Sequence, residues 1–184
     1  MDISLGQEYI YNYFERLSAS ASNFPVSNNG WFDLGAGTVA GFPSTNAEDD
    51  KLFSLFARAN YTFKGKYLFS ASLRRDGSSK FGDDNKFAYF PSAAVAWRII
   101  DEQFMKQQKV FSELKLRASY GTSGNNRVAN YLDLQTFQSG NYPLNDVLNA
   151  SVFANQLANP GLKWETVVQS NVGLDLGFFK QRIT

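Results

Sequence analysis

The chain has 184 residues, a formal net charge of +1, 17 Phe, 9 Tyr and 3 Trp, and neither His nor Cys. From this chain alone, therefore, no Ser–His–Asp triad, His-ligated metal, disulfide or thiol chemistry can be built, and the near-neutral charge lacks the basic surface of a nucleic-acid binder. Mean hydropathy is −0.32, and no apolar run approaches the ~20 residues of a transmembrane helix. Strands that cross a membrane as a barrel alternate in polarity and look equally mild, so they stay allowed.

Six segments carry the two-residue period of a strand. The first and weakest is Leu5–Phe14, with Tyr9, Tyr11 and Tyr13 on one side. Two stronger runs follow between Lys51 and Asp76, joined by Lys64-Gly65-Lys66. In the first of these, Phe53, Leu55, Ala57, Ala59, Tyr61 and Phe63 share a face opposite Ser54, Arg58, Asn60 and Thr62, because successive strand side chains point to opposite sides. In the second, Tyr67, Phe69, Ala71 and Leu73 oppose Ser70, Ser72 and Arg74. The segment Tyr89–Ile99 sets Ala93, Val95, Trp97 and Ile99 against Ser92, Ala94, Ala96 and Arg98. Ser112–Thr122 sets Leu114, Leu116, Ala118 and Tyr120 against Lys115, Arg117, Ser119 and Gly121. The last, Glu165–Phe178, sets Val168, Val172, Leu174 and Leu176 against Glu165, Gln169, Asn171 and Asp175. Each strong run has the ~9–11 residues that a tilted strand needs to cross a bilayer.

The connections alternate in length. Glu15–Asp50 and Ser123–Trp164 are long, whereas Lys64-Gly65-Lys66 and Phe179-Lys180-Gln181-Arg182 are tight. In an up-and-down barrel alternate connections lie on opposite sides of the membrane, with short turns periplasmic and long loops extracellular. Phe63, Tyr67, Trp97, Phe111 and Phe178 then gather at the periplasmic ends, where an interfacial aromatic belt belongs. Ile100–Phe111 is long for such a turn, and its Asp-Glu-Gln-Phe-Met-Lys run suits a single helical turn. The expected fold is all-β: about six strands of a larger antiparallel transmembrane barrel, with long extracellular loops.

Little in the chain offers reactive chemistry. The carboxylate groups Glu48-Asp49-Asp50 and Asp83-Asp84 fall in predicted loops as solvated charge, and Asp76–Asn85 lacks the ligand spacing of a calcium loop. No catalytic, metal or cofactor-binding residue is assigned, and no cofactor is expected. Arg58, Arg74, Arg98 and Arg117 should face the lumen, pairing with Glu165, Asp175 or an internal plug. The loop aromatics Trp31, Phe32, Phe137 and Tyr142 are the candidates for substrate contact, by stacking on sugar rings or peptide side chains. Packing of the loops on themselves is the alternative.

Four passages carry a resemblance: RRDGSSKFG (Arg74–Gly82), YFPSAAVAW (Tyr89–Trp97), SYGTSGN (Ser119–Asn125) and NPGLKWE (Asn159–Glu165). In this order they resemble the barrel of the SusC/RagA-type TonB-dependent receptors of Bacteroidetes, and LSASASNFP (Leu17–Pro25) resembles an upstream loop of that family. The resemblance implies a barrel of about 22 strands around an N-terminal plug, in the outer membrane of a Gram-negative cell. It also implies a SusD-like surface lipoprotein as partner, energy from the TonB–ExbB–ExbD complex, contact with outer-membrane lipid, and import of oligosaccharides or peptides. Residues 1–184 are then expected to be a partial barrel domain, without plug, TonB box, signal or carboxy-terminal barrel strands. The competing reading, a soluble β-sandwich or surface adhesin, would bury the apolar faces in a protein core. It gives no reason for aromatics to collect at one end of the strands.

Overall fold

The computed structural model describes residues 1–25 and 32–179. In chain order its strands are β1 (Asp2–Ser18), β2 (Ala21–Ser22), β3 (Val39–Ala40), β4 (Ser44–Phe63), β5 (Tyr67–Ser78), β6 (Phe87–Arg98), β7 (Phe111–Asn125), β8 (Thr136–Leu144), β9 (Val147–Gln156) and β10 (Glu165–Phe178). Six of them form one sheet in the order β1-β4-β5-β6-β7-β10, while β2-β3 and β8-β9 pair separately. The six sheet strands are the six expected segments, and they are neighbours in chain order, as an up-and-down wall requires. The chain divides into two compact units, Met1–Ile10 with Lys51–Thr184, and Tyr11–Asp50.

Antiparallel register fixes the two faces of the larger unit. Across β4, β5, β6, β7 and β10, the row Tyr61, Phe69, Val95, Ala118, Val172 is matched partner to partner. One residue over runs Asn60, Ser70, Ala94, Ser119, Asn171. A shift of one residue in any pair would exchange those rows, so the alternation and the pairing enforce each other. The first row is apolar and exposed, with Tyr61 at 45 % and Val172 at 81 %. Among the described residues only Phe81, Phe90 and Trp164 form a buried hydrophobic core. A sandwich would have hidden the apolar face, and this sheet leaves it open for an apolar surrounding.

Several boundaries differ from the sequence reading. β1 and β4 run past their expected ends, to Ser18 and back to Ser44. Strand pairing is made by backbone groups, so it continues through Ser-Thr-Asn-Ala-Glu-Asp-Asp, where no apolar alternation exists to signal it. Within the Tyr11–Asp50 unit the Asn12 amide donates to the Asp50 carboxylate at 3.0 Å. The Ser123–Trp164 segment is not one loop: β7 extends to Asn125, and β8 and β9 form a hairpin. Its turn residues Asn145 and Asp146 have φ of 52° and 59°, the type I′ conformation that matches strand twist and that Asn and Asp tolerate. Lys64 and Gly65 do the same at the β4–β5 turn, with φ of 50° and 70°, and the Lys66 N–H donates to the Phe63 carbonyl at 3.1 Å. The Ile99–Phe111 connection contains two single 3-10 turns, Ile99–Asp101 and Gln103–Met105. The expected tight end at residues 179–182 lies, apart from Phe179, outside the described residues.

Candidate functional site

The polar face of the sheet is built as a hydrogen-bonded wall. Arg74 is its hub. The Nε group donates to both Asp76 oxygens at 2.7 and 3.0 Å, and Nη2 donates to Glu8 Oε2 at 2.8 Å and to Ser54 Oγ at 2.9 Å. Ser54 and Asp76 are buried, so charge and hydroxyl are satisfied before they leave water. Next to this hub lies Phe56, a large apolar side chain on the polar face; its ring occupies the space that a side chain at Gly6 would fill. Arg74 lies 6.0 Å from that ring.

Further along the wall, Ser70 donates to Asn60 Oδ1 at 2.8 Å, and Ser72 and Ser92 share a 2.7 Å hydroxyl contact. Arg117 and Lys115 both reach Asp175, at 3.2 and 3.6 Å. An open depression of about 910 Å³ lies here, lined by Arg58, Asn60, Ser70, Arg117, Ser119 and Asn171 among others. The expected arginine partners are thus found in part. Arg117 pairs with Asp175, but Glu165 accepts from the Asn125 amide at 2.8 Å, and Arg98 turns to Asp101 at 3.1 Å. Glu8 was not anticipated as a partner, because it lies 66 residues from Arg74 in the chain and reaches it across the intervening strand β4.

At the loop end of this face, the motif passages meet. Phe81 packs on Trp164 at 5.1 Å between ring centres, and Phe90 meets Trp164 edge-on at 5.5 Å. Trp164 Nε1 donates to the Lys86 carbonyl at 3.1 Å. Leu52, Ala88, Val128 and Leu162 close round the cluster. A side chain at Gly124 would collide with the Phe90 ring, so glycine there serves close packing within β7 rather than a turn. The motifs are architectural: each supplies a piece of one plug of aromatic packing.

The turn end is organised by Glu102. Its carboxylate accepts from Lys66 Nζ at 2.8 Å, Tyr67 Oη at 2.7 Å and Trp97 Nε1 at 3.1 Å. First the Lys66 bond, then those from Tyr67 and Trp97, hold the carboxyl down at about 2 from its ordinary 4.5. Phe63, Tyr67 and Trp97 follow one another at 6.2 and 6.4 Å, and Phe111 meets Phe178 at 5.2 Å. Each amphipathic ring thus keeps its apolar body on the outer face, while Tyr67 and Trp97 find polar partners for their tips.

The candidate contact residues are scattered. Trp31 lies outside the described residues. Phe32 is exposed within the Tyr11–Asp50 unit. Phe137 and Tyr142 are exposed on β8, but five positions apart on one strand they alternate to opposite faces. Among the described residues no group of three or more acidic side chains gathers as a metal site.

An apolar outer face, a hydrogen-bonded polar inner face and a belt of aromatics at the short-turn end define a wall segment of a strand-built membrane barrel. The chain belongs to the TonB-dependent receptor-like β-barrel family, whose model matches residues 2–184, and within it to the SusC/RagA type. It is 38% identical over 165 residues to TonB-dependent receptor P3 of Formosa agariphila, covering 90% of this chain and 16% of that protein. To TonB-dependent receptor SusC of Bacteroides thetaiotaomicron it is 39% identical over 143 residues, covering 75% of this chain and 14% of the other. Among solved structures, the RagAB peptide transporter superposes with a TM-score of 0.83 at 31% identity, over 97% of this chain and 20% of that one. The chain therefore spans less than a quarter of the length of each. The family is one of receptors, not of enzymes.

Proposed function

We propose that this chain forms part of the wall of an outer-membrane importer that takes up oligosaccharides or peptides. The observation that carries the proposal is the pair of in-register faces on a sheet whose family match runs over residues 2–184. The outer face meets lipid, and the inner face, with Arg74, Arg98 and Arg117 already held by carboxylates, lines the lumen. Import is driven by the TonB–ExbB–ExbD complex, with a SusD-like lipoprotein over the loop end. Similarity to a protein called SusC and to the RagAB peptide transporter supports that partnership, and the second of these speaks for peptides among the two substrate classes. Phe32, Phe137 and Tyr142, with Trp31, are the proposed contacts for sugar rings or peptide side chains.

The test is uptake in the cells that make the protein. Deleting its gene should abolish uptake of one labelled class, oligosaccharide or peptide, and deleting TonB should reproduce that loss. Unchanged uptake of both classes would contradict import. Within the intact protein, Tyr142→Ala should lower uptake several-fold at equal surface level if the loop aromatics touch substrate.

A further inference from the structure

The outer face carries a charge that a lipid-facing wall does not need. Arg75 projects from β5 in register with Leu55 on one side and Tyr89 on the other. It therefore shares the apolar face, opposite to Arg74 and Asp76, near the loop end of the strand. Its guanidinium carbon lies 4.1 Å from the centre of the Phe87 ring and 5.9 Å from that of Tyr89. The seat is built: Phe87 lies across its register partner Gly77, where any side chain would strike the ring.

Seated there, Arg75 is under-satisfied. Its Nε is buried without a hydrogen-bond partner, and among the described residues no carboxylate pairs with it. Arg74, one residue earlier, holds two carboxylates. The rings attract the cation and strip its water, but they neutralise no charge and accept no in-plane hydrogen bond. An ionised side chain left so on an apolar face needs an anion that is itself at home beside lipid. Phosphate fits: the planar guanidinium fork matches its oxygens, and the charge-assisted bonds are strong in a partly desolvated seat.

We infer that Arg75, held between Phe87 and Tyr89, binds the phosphate of a lipid headgroup in the leaflet surrounding the loop end of the wall. The inference rests on the membrane-wall reading proposed above and names a ligand for its outer rim.

The test uses the intact receptor from its own cells, purified in detergent and offered two probes. One is a phosphorylated outer-leaflet glycolipid, and the other is the same lipid after enzymatic dephosphorylation. Native mass spectrometry counts bound lipid. The wild type should favour the phosphorylated form about tenfold, Arg75→Gln should reduce that preference to near unity, and Arg75→Lys should keep part of it. Heat-shifted mobility on gels verifies that each variant is folded. An undiminished preference in Arg75→Gln would overturn the site. Full competition by inorganic phosphate would replace the lipid headgroup with a free-phosphate site and overturn the assignment as stated. Membrane fractionation of the wild type separates the two failures: a receptor in the outer membrane without Arg75-dependent preference loses only the headgroup site, whereas one absent from that membrane loses the wall reading.

Discussion

The two ends of the sheet use the same kind of residue in opposite ways. At the loop end Phe81 and Phe90 are 1% and 5% exposed, stacked around Trp164 by segments far apart in the chain. At the turn end Phe63 is 44% exposed, on a face set by strand alternation alone. The loop end makes its own core from protein. The turn end supplies only half of an apolar contact and depends on the medium for the rest. Loss at the first end should therefore appear as unfolding wherever the protein is placed, and loss at the second only where lipid is present.

The largest effect is expected at the loop end. Trp164→Ala removes both ring contacts and the bond to the Lys86 carbonyl, and should cost about 3–5 kcal/mol. The fraction of heat-shifted, assembled receptor would fall sharply. Phe63→Ala should cost visibly less, and an equal loss would erase the distinction between the two ends. A charge on the outer face comes next: Val95→Arg should cost about 2–4 kcal/mol near the membrane midplane. Ala94→Arg, at the same depth on the polar face, should assemble nearly normally. The smallest effect belongs to the turn clip. Because the folded state lowers the Glu102 pKa, its stabilising contribution is complete above 4.5 and is lost as pH falls through about 2. Glu102→Gln should show a slight loss at neutral pH and less acid sensitivity between those values, read from the unfolding midpoint at each pH.

The faces were legible in the chain because a period of two needs no knowledge of partners. Ala57 through Phe63 and Tyr67 through Leu73 divide themselves, and register then only confirms the division. Phe56 breaks the pattern, and nothing local says that Gly6 makes room for it. The Phe81–Phe90–Trp164 cluster was visible as motif wording but not as contact, since its members meet only after the sheet is formed. The β8–β9 hairpin had a readable signal in Asn145-Asp146, hidden by the weak alternation on either side of it. Arg75 stood in plain view within Arg74-Arg75, and alternation alone sends the two guanidiniums to opposite faces, yet nothing local shows the Phe87 ring against which Arg75 lies. The loop aromatics remained a compositional guess for a related reason: long loops carry no periodicity to say which rings converge.

In a wall bounded by lipid the Val95 row meets the acyl chains and the Ala94 row does not. This chain contains no cysteine, so in a receptor whose cysteines elsewhere are replaced, single cysteines at these two positions would be the only labelling sites. Each would carry an environment-sensitive fluorophore, with the receptor reconstituted in bilayers whose acyl chains are brominated at mid-depth. The label at Val95 should be strongly quenched and the label at Ala94 little affected; equal quenching, or the reverse, would contradict the account.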